Sequence, residues 1–223
     1  TAKGDFNLNG GANLENYGTI NVASNFEANK NVTNEGTIYA KGHINFNANI
    51  TVINKCLIKS DNDININAAS ITMTNGALIA AGTTTINGNS NLLLQNQSEV
   101  YTNNMMVNKD IEGSGSLNSI VANGTSTING NAKIKGAIEY ADNDGVLTNG
   151  NASSFINGAT FVTIANATNY IPQSACNPVG IGTPSIVDTD GDGVADDLDD
   201  YPTDPARAYD NYFPSKTGFA SLA

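Results

Sequence analysis

The five residues Thr85–Asn89 read TINGN, and the same five residues recur at Thr127–Asn131, 42 positions later. Halfway between them stands Val107-Asn108, again a β-branched residue followed by asparagine. Apolar–polar pairs of this kind continue in both directions at nearly constant steps, the last of which is longer. They are Leu8-Asn9, Phe26-Glu27, Phe46-Asn47, Ile66-Asn67, Ile86-Asn87, Val107-Asn108, Ile128-Asn129 and Ile156-Asn157. This recurrence indicates an internal repeat of about 20 residues, which is the signature of a solenoid.

A second series of asparagines advances by almost the same increments. Its members stand at 16, 34, 54, 75 and 96, in LENYGTI, VTNEGTI, VINKCLI, MTNGALI and LQNQSEV. A local turn preference does not make two unrelated motifs share one period. The second series therefore supports a repeat that extends over most of the chain.

Each repeat contains short stretches with the period of a β-strand. HINFNA, DININA and TTTING place an apolar or β-branched residue at every second position. Because alternate side chains of a strand lie on opposite faces, we expect these residues to point inward together. The pairs are Ile44/Phe46, Ile64/Ile66 and Thr84/Ile86. Asparagine and glycine interrupt the chain too often for helices.

The predicted fold is all-β: a single-stranded parallel β-helix with three short strands and about 20 residues per coil, right-handed as parallel crossovers are. We expect the solenoid to span 1–170 and a cap or linker containing Pro172, Pro178 and Pro184 to span 171–187. A calcium-binding loop at 188–205 and the start of a truncated further domain at 206–223 complete the prediction. The long last step of the first series, from Ile128 to Ile156, predicts an insertion of about eight residues near 140–150.

Charge is concentrated at one end of the chain. Residues 1–187 carry eight Lys and twelve Asp or Glu, net −4, whereas 188–223 carry one Lys, one Arg and nine Asp, net −7. This acidic balance argues against nucleic-acid binding, which depends on cationic contacts to phosphate. The sequence has no run long enough to span a membrane and no charged-then-apolar leader, so we expect any export signal to have been removed.

The acidic end contains the strongest chemical motif, DTDGDGVADDLDD. Its spacing follows the ligand positions 1, 3, 5, 7, 9 and 12 of a calcium loop, with Gly193 at position 6 for the sharp turn. The predicted ligands are Asp188, Asp190, Asp192, the Val194 carbonyl, Asp196 and Asp199. A solvated acidic linker is the alternative, but a linker does not require a glycine at that position. The expected cofactor is calcium.

The motif resembles the thrombospondin type 3 calcium-binding repeat. The longer stretch DTDGDGVADDLDDYPTDPARAYDNYFPS is similar to the beginning of the LruC-domain family of bacterial surface proteins. This resemblance covers the chain from 188 to 223 and implies an exported, surface-attached protein of a Gram-negative bacterium, of which this chain is a fragment. The solenoid resembles the β-helices of bacterial adhesins and filamentous haemagglutinin-like proteins, a likeness of architecture that does not fix function.

The two cysteines permit two interpretations. Cys56 stands in a column of small residues with Gly18, Gly36, Ala77 and Ser98, which favours a buried free thiol that acts as a small hydrophobic residue. A disulfide to Cys176 is the alternative, and it depends on a Cα–Cα distance that the sequence does not give.

Two classes of function compete. Some parallel β-helices act on polysaccharides, and here Asp61 and Asp63 share a face with Lys41 and His43 expected one coil below. Such pairs are ordinary on sheet surfaces, so we predict no enzyme. The expected function is a non-enzymatic cell-surface structural or adhesion module, secreted or attached to the outer membrane; the alternative is a polysaccharide-binding or polysaccharide-degrading β-helix. We expect a glycan or matrix-protein ligand, no nucleic acid, no membrane-spanning segment, and a monomer or end-to-end contacts.

Overall fold

The structure is a computed structural model, and it describes residues 1–163 except 48, 90, 130 and 144. The chain divides into two compact units, Thr1–Pro178 and Val179–Ala223. All described residues belong to the first unit, where twenty β-strands and one short 3-10 helix, Ala152–Ser154, wind into a parallel β-solenoid of about eight turns. The predicted all-β solenoid is therefore confirmed, whereas the predicted calcium loop lies outside the described residues.

Each turn contributes one strand to each of three walls. The first wall stacks eight segments in parallel, and each member bonds to the equivalent strands of the adjacent turns. Its strands are β1 (Phe6–Leu8), β4 (Phe26–Ala28), β7 (Ile44–Phe46), β10 (Ile64–Ile66), the second halves of β12 (Ala77–Ile86) and β14 (Glu99–Val107), β16 (Ser126–Ile128) and β18 (Leu147–Thr148).

The second wall follows the first in every turn. It contains β2 (Leu14–Asn16), β5 (Val32–Asn34), β8 (Thr51–Asn54), β11 (Ser70–Thr74), β13 (Leu92–Gln95), the first halves of β15 (Ile111–Ala122) and β17 (Ile134–Asp142), and β19 (Phe155–Ile156). The third wall contains β3 (Thr19–Val22), β6 (Thr37–Ala40), β9 (Leu57–Ser60), the remaining halves of β12, β14, β15 and β17, and β20 (Thr160–Thr163).

The register explains why TINGN recurs. Ile86 pairs with Val107, and Val107 pairs with Ile128, so the two copies stand at the same corner two turns apart. Successive strands in a sheet lie about 4.8 Å apart, so the chain returns to this corner about 10 Å further along the solenoid.

Two predicted rungs of the first series are wrong. Phe26 pairs with Ile44, and it is Ala28 that pairs with Phe46, so Ala28-Asn29 is the rung and not Phe26-Glu27. At the other end, Ile156 lies in the second wall, where it pairs with Lys135.

The predicted insertion near 140–150 is wrong for the same reason. Leu147 pairs with Ser126, which lies one ordinary period earlier, so the first wall continues there without an insertion. The longest step falls in the second wall instead, between the paired residues Ile111 and Ile134. The spacing of similar residues did not by itself show whether a turn had become longer or whether the next similar residue, Ile156, belonged to another wall.

The core lies between the three walls. All six residues predicted to point inward from the first wall have at most 1 % of their surface exposed. Aromatic side chains continue this row toward the first turn: the rings of Phe6 and Phe26 stack with centroids 5.2 Å apart, and Phe46 meets Phe26 edge-on at 6.2 Å. Burying a side chain of this size contributes about 1.5–3 kcal/mol, so repetition over the turns supplies the stability that single three-residue strands lack.

The second series of asparagines divides into two structural roles. Asn16, Asn34 and Asn54 are buried and stacked, with Asn16 Nδ2 donating to Asn34 Oδ1 at 2.7 Å and Asn34 Nδ2 to Asn54 Oδ1 at 2.8 Å. Asn75 and Asn96 instead occupy left-handed backbone conformations, with φ of 51° and 55°. The change follows a shift of register, because Asn54 pairs with Met73 and not with Asn75.

Candidate functional site

A polar cluster lies at the corner between the third and first walls of the second to fourth turns. Tyr39 belongs to β6 and Lys59 to β9, whereas Asp61, Asp63 and His43 lie in the short connections that lead into the first wall. The strand register stacks β9 directly on β6, so residues about one period apart meet at this corner. We call these five residues the corner cluster.

The corner cluster forms two separate rungs. In one rung, the Tyr39 hydroxyl donates a hydrogen bond to Asp61 Oδ2, and the pKa of Tyr39 is raised by this bond. The Lys59 Nζ atom stands 5.6 Å from the centroid of the Tyr39 ring, within the range of a cation–π interaction. The Asp61 side chain therefore bonds to Tyr39, while Lys41 lies one turn below Asp61 as predicted, since the Asp61 N–H bonds to the Ala40 carbonyl.

The second rung pairs His43 with Asp63, as the sequence predicted. His43 Nδ1 lies 3.2 Å from Asp63 Oδ2, and Asp63 Oδ1 accepts a hydrogen bond of 2.7 Å from the Thr83 backbone N–H. The His43 and Asp63 side chains keep 46 % and 39 % of their surface exposed. Exposed pairs of this kind contribute little to stability, but their polar atoms remain accessible to a ligand.

A second charged cluster, which the sequence analysis missed, lies on the outer side of the second wall. Lys135 Nζ contacts Asp110 Oδ2 and lies 2.9 Å from Glu112 Oε1. Asp110 Oδ1 also accepts a 2.8 Å hydrogen bond from the Lys133 backbone N–H. Burial raises the pKa of Asp110, but these hydrogen bonds outweigh it, so that the pKa lies below its ordinary value. The lengthened step between Glu112 and Lys135 concealed the pairing in a sequence read at the ordinary period.

Stacked asparagine side chains recur on the surface of several turns. At the corner after the first wall, Asn47 Nδ2 donates to Asn29 Oδ1 at 2.9 Å, and on the wall itself Asn65 Nδ2 donates to Asn45 Oδ1 at 2.8 Å. The corner ladder continues with hydrogen bonds of Asn29 to Asn9, Asn108 to Asn87, and Asn129 to Asn108. This surface presents amides and hydroxyls at a spacing of about 4.8 Å.

Cys56 lies at the corner before the third wall and has 1 % of its surface exposed. It is disulfide-bonded, so the interpretation of Cys56 as a free thiol is wrong. Its neighbour in the next turn is Gly76, since the Ala77 N–H bonds to the Cys56 carbonyl. The column of small residues is thus Gly18, Gly36, Cys56, Gly76 and Ser98, and a Cβ atom at Gly36 would stand 2.0 Å from the Gly18 oxygen.

The predicted metal ligands Asp188, Asp190, Asp192, Val194, Asp196 and Asp199 all lie outside the described residues. Among the residues that the structure does describe, no group of three or more His, Cys, Asp or Glu side chains could hold a metal ion. Calcium binding therefore stays a prediction from the sequence. Within the same part of the chain, no helix is long and apolar enough to cross a membrane.

A cleft of about 540 Å³ lies beside the last described turn. The described residues that line it are Gly145, Leu147, Gly150, Asn151, Ala152, Phe155, Ala159 and Phe161. None of these side chains is titratable, so they offer no acid, base or nucleophile.

The chain matches no family model, no curated protein and no solved structure.

Proposed function

We propose that this chain is a non-enzymatic structural or adhesion module of the cell surface, in which the solenoid serves as a rigid support. The observation that carries the proposal is the ladder of stacked amides, which makes one surface both regular and able to hydrogen-bond over several turns. Glycans and extended polypeptides offer repeated hydroxyl or amide groups that such a surface could match.

The disulfide at Cys56 supports an extracellular location. Disulfides persist mainly in oxidising compartments, such as the periplasm and the cell surface, and are rare in the reducing cytosol. The resemblance of 188–223 to the LruC-domain family leads to the same expectation, namely an exported and surface-attached protein of a Gram-negative bacterium.

The calcium loop belongs to this proposal as a stiffened junction. Nine aspartates between 188 and 223 repel one another unless a cation neutralises them. Calcium held by Asp188, Asp190, Asp192, the Val194 carbonyl, Asp196 and Asp199 would fix the chain between the solenoid and whatever follows it.

A polysaccharide-binding or polysaccharide-degrading protein is the second candidate, and the corner cluster favours it. Tyr39 offers an aromatic ring, and Asp61 and Asp63 offer accessible carboxylates near the same corner. Glycoside hydrolysis needs one carboxylic acid to donate a proton and another carboxylate to act as base or nucleophile. In the described structure, however, Asp61 and Asp63 already accept hydrogen bonds from Tyr39 and Thr83.

The deciding experiment is a binding screen of the chain against glycans and matrix proteins, run with calcium and with a chelator. We expect a ligand whose binding weakens at least about fivefold in the Asn65→Ala variant, because Asn65 lies on the amide surface, and remains unchanged in the Thr72→Ala variant on the second wall. Equal effects of the two variants, or no ligand under either condition, would contradict the adhesive role.

The enzymatic alternative has its own assay. Wild-type chain is incubated with neutral and uronate-rich polysaccharides, and new reducing ends are measured. Cleavage that disappears in Asp61→Asn or Asp63→Asn, but persists in the control Asp5→Asn, would establish the enzyme and overturn the proposal. The control carboxylate lies in the first turn and accepts a hydrogen bond from the Asn25 backbone N–H, outside the corner cluster.

A further inference from the structure

The corner between the second and third walls changes length abruptly between the sixth and seventh turns. Glu112 of the sixth turn pairs with Lys135 of the seventh, and further along the same strands Ser119 pairs with Glu139. Seven positions separate Glu112 from Ser119, whereas four separate their two partners, so the sixth turn has three extra residues at this corner. The extra residues fall within 114–117, all of which are exposed. The surface therefore forms a step, because the sixth turn is wider than the seventh.

A cleft of about 380 Å³ lies at this step, and we call it the step cleft. The described residues that line it are Glu112, Gly113, Lys135, Gly136 and Asn157. Gly113 and Gly136 pair in register, and a Cβ atom on Gly136 would stand 2.2 Å from the Gly113 oxygen. These two positions contribute only backbone to the cleft, so its side chains come from Glu112, Lys135 and Asn157.

The lining side chains have hydrogen-bonding capacity that the described residues do not use. Glu112 Oε1 accepts from Asn91 Nδ2 at 2.6 Å and from Lys135 Nζ at 2.9 Å, while no described residue bonds to Glu112 Oε2. Lys135 Nζ contacts Asp110 and Glu112, which leaves one of its three N–H groups. The amide of Asn157 is exposed and bonds to no other described residue. The step cleft therefore offers both donors and acceptors.

The charges around the step cleft balance one another. Asp110 and Glu112 supply two carboxylates. Lys135 and Lys133 supply two ammonium groups, and Lys133 Nζ donates to the Ser153 carbonyl at 3.1 Å. Hydrogen bonds to Asp110 and Glu112 raise the pKa of Lys135, so this amine stays charged at neutral pH. Neither an anion nor a cation therefore gains a net electrostatic attraction to the cleft.

We propose that the step cleft binds a neutral sugar, namely one uncharged hexose unit of a glycan. Neighbouring hydroxyls of a sugar ring donate and accept at the same time, so one can donate to Glu112 Oε2 while the next accepts from Lys135 or Asn157. The volume of the cleft lies near the lower end of small-molecule sites, about 300–1,000 Å³, which suits a single unit. This site is separate from the ladder of stacked amides and does not rest on the proposed adhesive role.

Nuclear magnetic resonance titration of the whole chain with methyl glucoside and methyl mannoside tests the site. We expect saturable shifts of the Gly113 and Gly136 amide signals with a Kd of about 1 mM, since no aromatic ring lines the cleft. Glucuronate and glucosamine should bind at least about fivefold more weakly, because each brings a charge that the balanced cleft does not pair. Absence of shifts with both neutral sugars, or tighter binding of either charged sugar, would overturn the proposal.

Variants separate a sugar site from a structural ion pair. Glu112→Gln should weaken binding at least about fivefold, because a neutral amide oxygen replaces a carboxylate acceptor. Asn157→Gly removes the amide at a position whose φ of 54° suits glycine, and should weaken binding at least about threefold. The control Glu35→Gln removes a carboxylate that pairs with Lys55 of the third turn at 2.6 Å, and should bind as the wild type does.

Circular dichroism confirms that each variant is folded, and Asn157→Gly decides alone if Glu112→Gln does not fold. Wild-type affinity in the folded Glu112→Gln and Asn157→Gly proteins would show that these residues have only structural roles, and would overturn the proposal. Because the shifts are measured at the step cleft, a negative result here leaves the amide ladder and its adhesive role untouched.

Discussion

The effect of a buried polar residue on the stability of this solenoid depends on whether its polar atoms find hydrogen-bond partners in the core. Asn34 is fully buried but has every side-chain group occupied: it accepts from Asn16 and donates to Asn54 and to the Leu57 carbonyl at 3.0 Å. Thr84 is equally buried, yet its hydroxyl has no hydrogen-bond partner among the described residues. Two side chains of similar polarity therefore have opposite effects on stability.

Replacing Asn34 by alanine should lower the free energy of unfolding by about 2–3 kcal/mol, because Asn16, Asn54 and the Leu57 carbonyl each lose a hydrogen bond that water does not replace. The measurement is chemical denaturation followed by circular dichroism. The matched control is Asn29→Ala, which removes an exposed ladder amide and should cost less than about 0.5 kcal/mol. Similar losses in the two variants would show that the buried stack has no special role.

Replacing Thr84 by valine should raise the free energy of unfolding by about 1 kcal/mol. Valine keeps the shape of threonine between Ile64 and Met105 while removing a hydroxyl that is buried without a partner in the described part of the chain. Thr85→Val, on the outward side of the same strand, serves as control and should change stability by less than about 0.5 kcal/mol. A destabilised Thr84→Val protein would mean that the hydroxyl has a partner in solution.

At the level of elements, each strand is too short to be stable alone and depends on the strands of the adjacent turns. Three- and four-residue strands such as β7 and β9 make few backbone hydrogen bonds, so side-chain rows hold the register. Where the turn lengthens between Ile111 and Ile134, the cluster of Lys135, Asp110 and Glu112 joins the two strands.

This cluster predicts a pH-dependent stability. The pKa of Asp110 is lowered in the folded chain, so its contribution is complete above the unfolded pKa near 4 and is lost as the pH falls through the lower folded value. Asp110→Asn should therefore reduce the melting temperature by about 2–4 °C at pH 7, and the difference should shrink below pH 4. Thermal scans of both proteins from pH 7 to pH 3 check this, and a difference that grows on acidification would contradict it.

At the scale of the whole molecule, the solenoid is held together turn by turn, because each turn contacts mainly its two neighbours. The apolar rows run through the core, whereas the outer faces of the walls differ: the first wall carries stacked amides, and the third wall carries the buried outward residues Val121 and Ala141. The acidic segment 188–223 has the opposite composition, with dense charge and few large apolar residues before Tyr201. Its order should depend on a bound cation.

Calcium should therefore protect the segment 188–205 from proteolysis. We expect cleavage near 190–200 to be at least about tenfold faster in chelator than in calcium, because an unneutralised loop stays open to the protease. The double variant Asp190→Ala/Asp192→Ala should be cleaved rapidly in both conditions, while Asp5→Asn should behave as wild type. Equal cleavage of the wild type with and without calcium would refute the metal site.

The sequence was sufficient to predict the β-solenoid, its period and the inward row from Ile44 to Ile86, because each turn repeats one pattern and neighbours lie at a fixed sequence separation. It also predicted the His43–Asp63 rung, which lies one period apart. It did not predict contacts between side chains that are not paired in register, such as the hydrogen bond from Tyr39 to Asp61. It also missed the ion pairs of Lys135, because the number of residues per turn changes there.

Only the tertiary structure showed which outward side chains are buried and that Cys56 forms a disulfide. Nothing in the repeat marks Val121 and Ala141 as buried, and the column of small residues favoured a free thiol at Cys56. Their burial and the disulfide depend on contacts that do not follow the period of the repeat. A repeat determines what lies one turn away, but a disulfide joins residues whose separation in the chain is independent of that period.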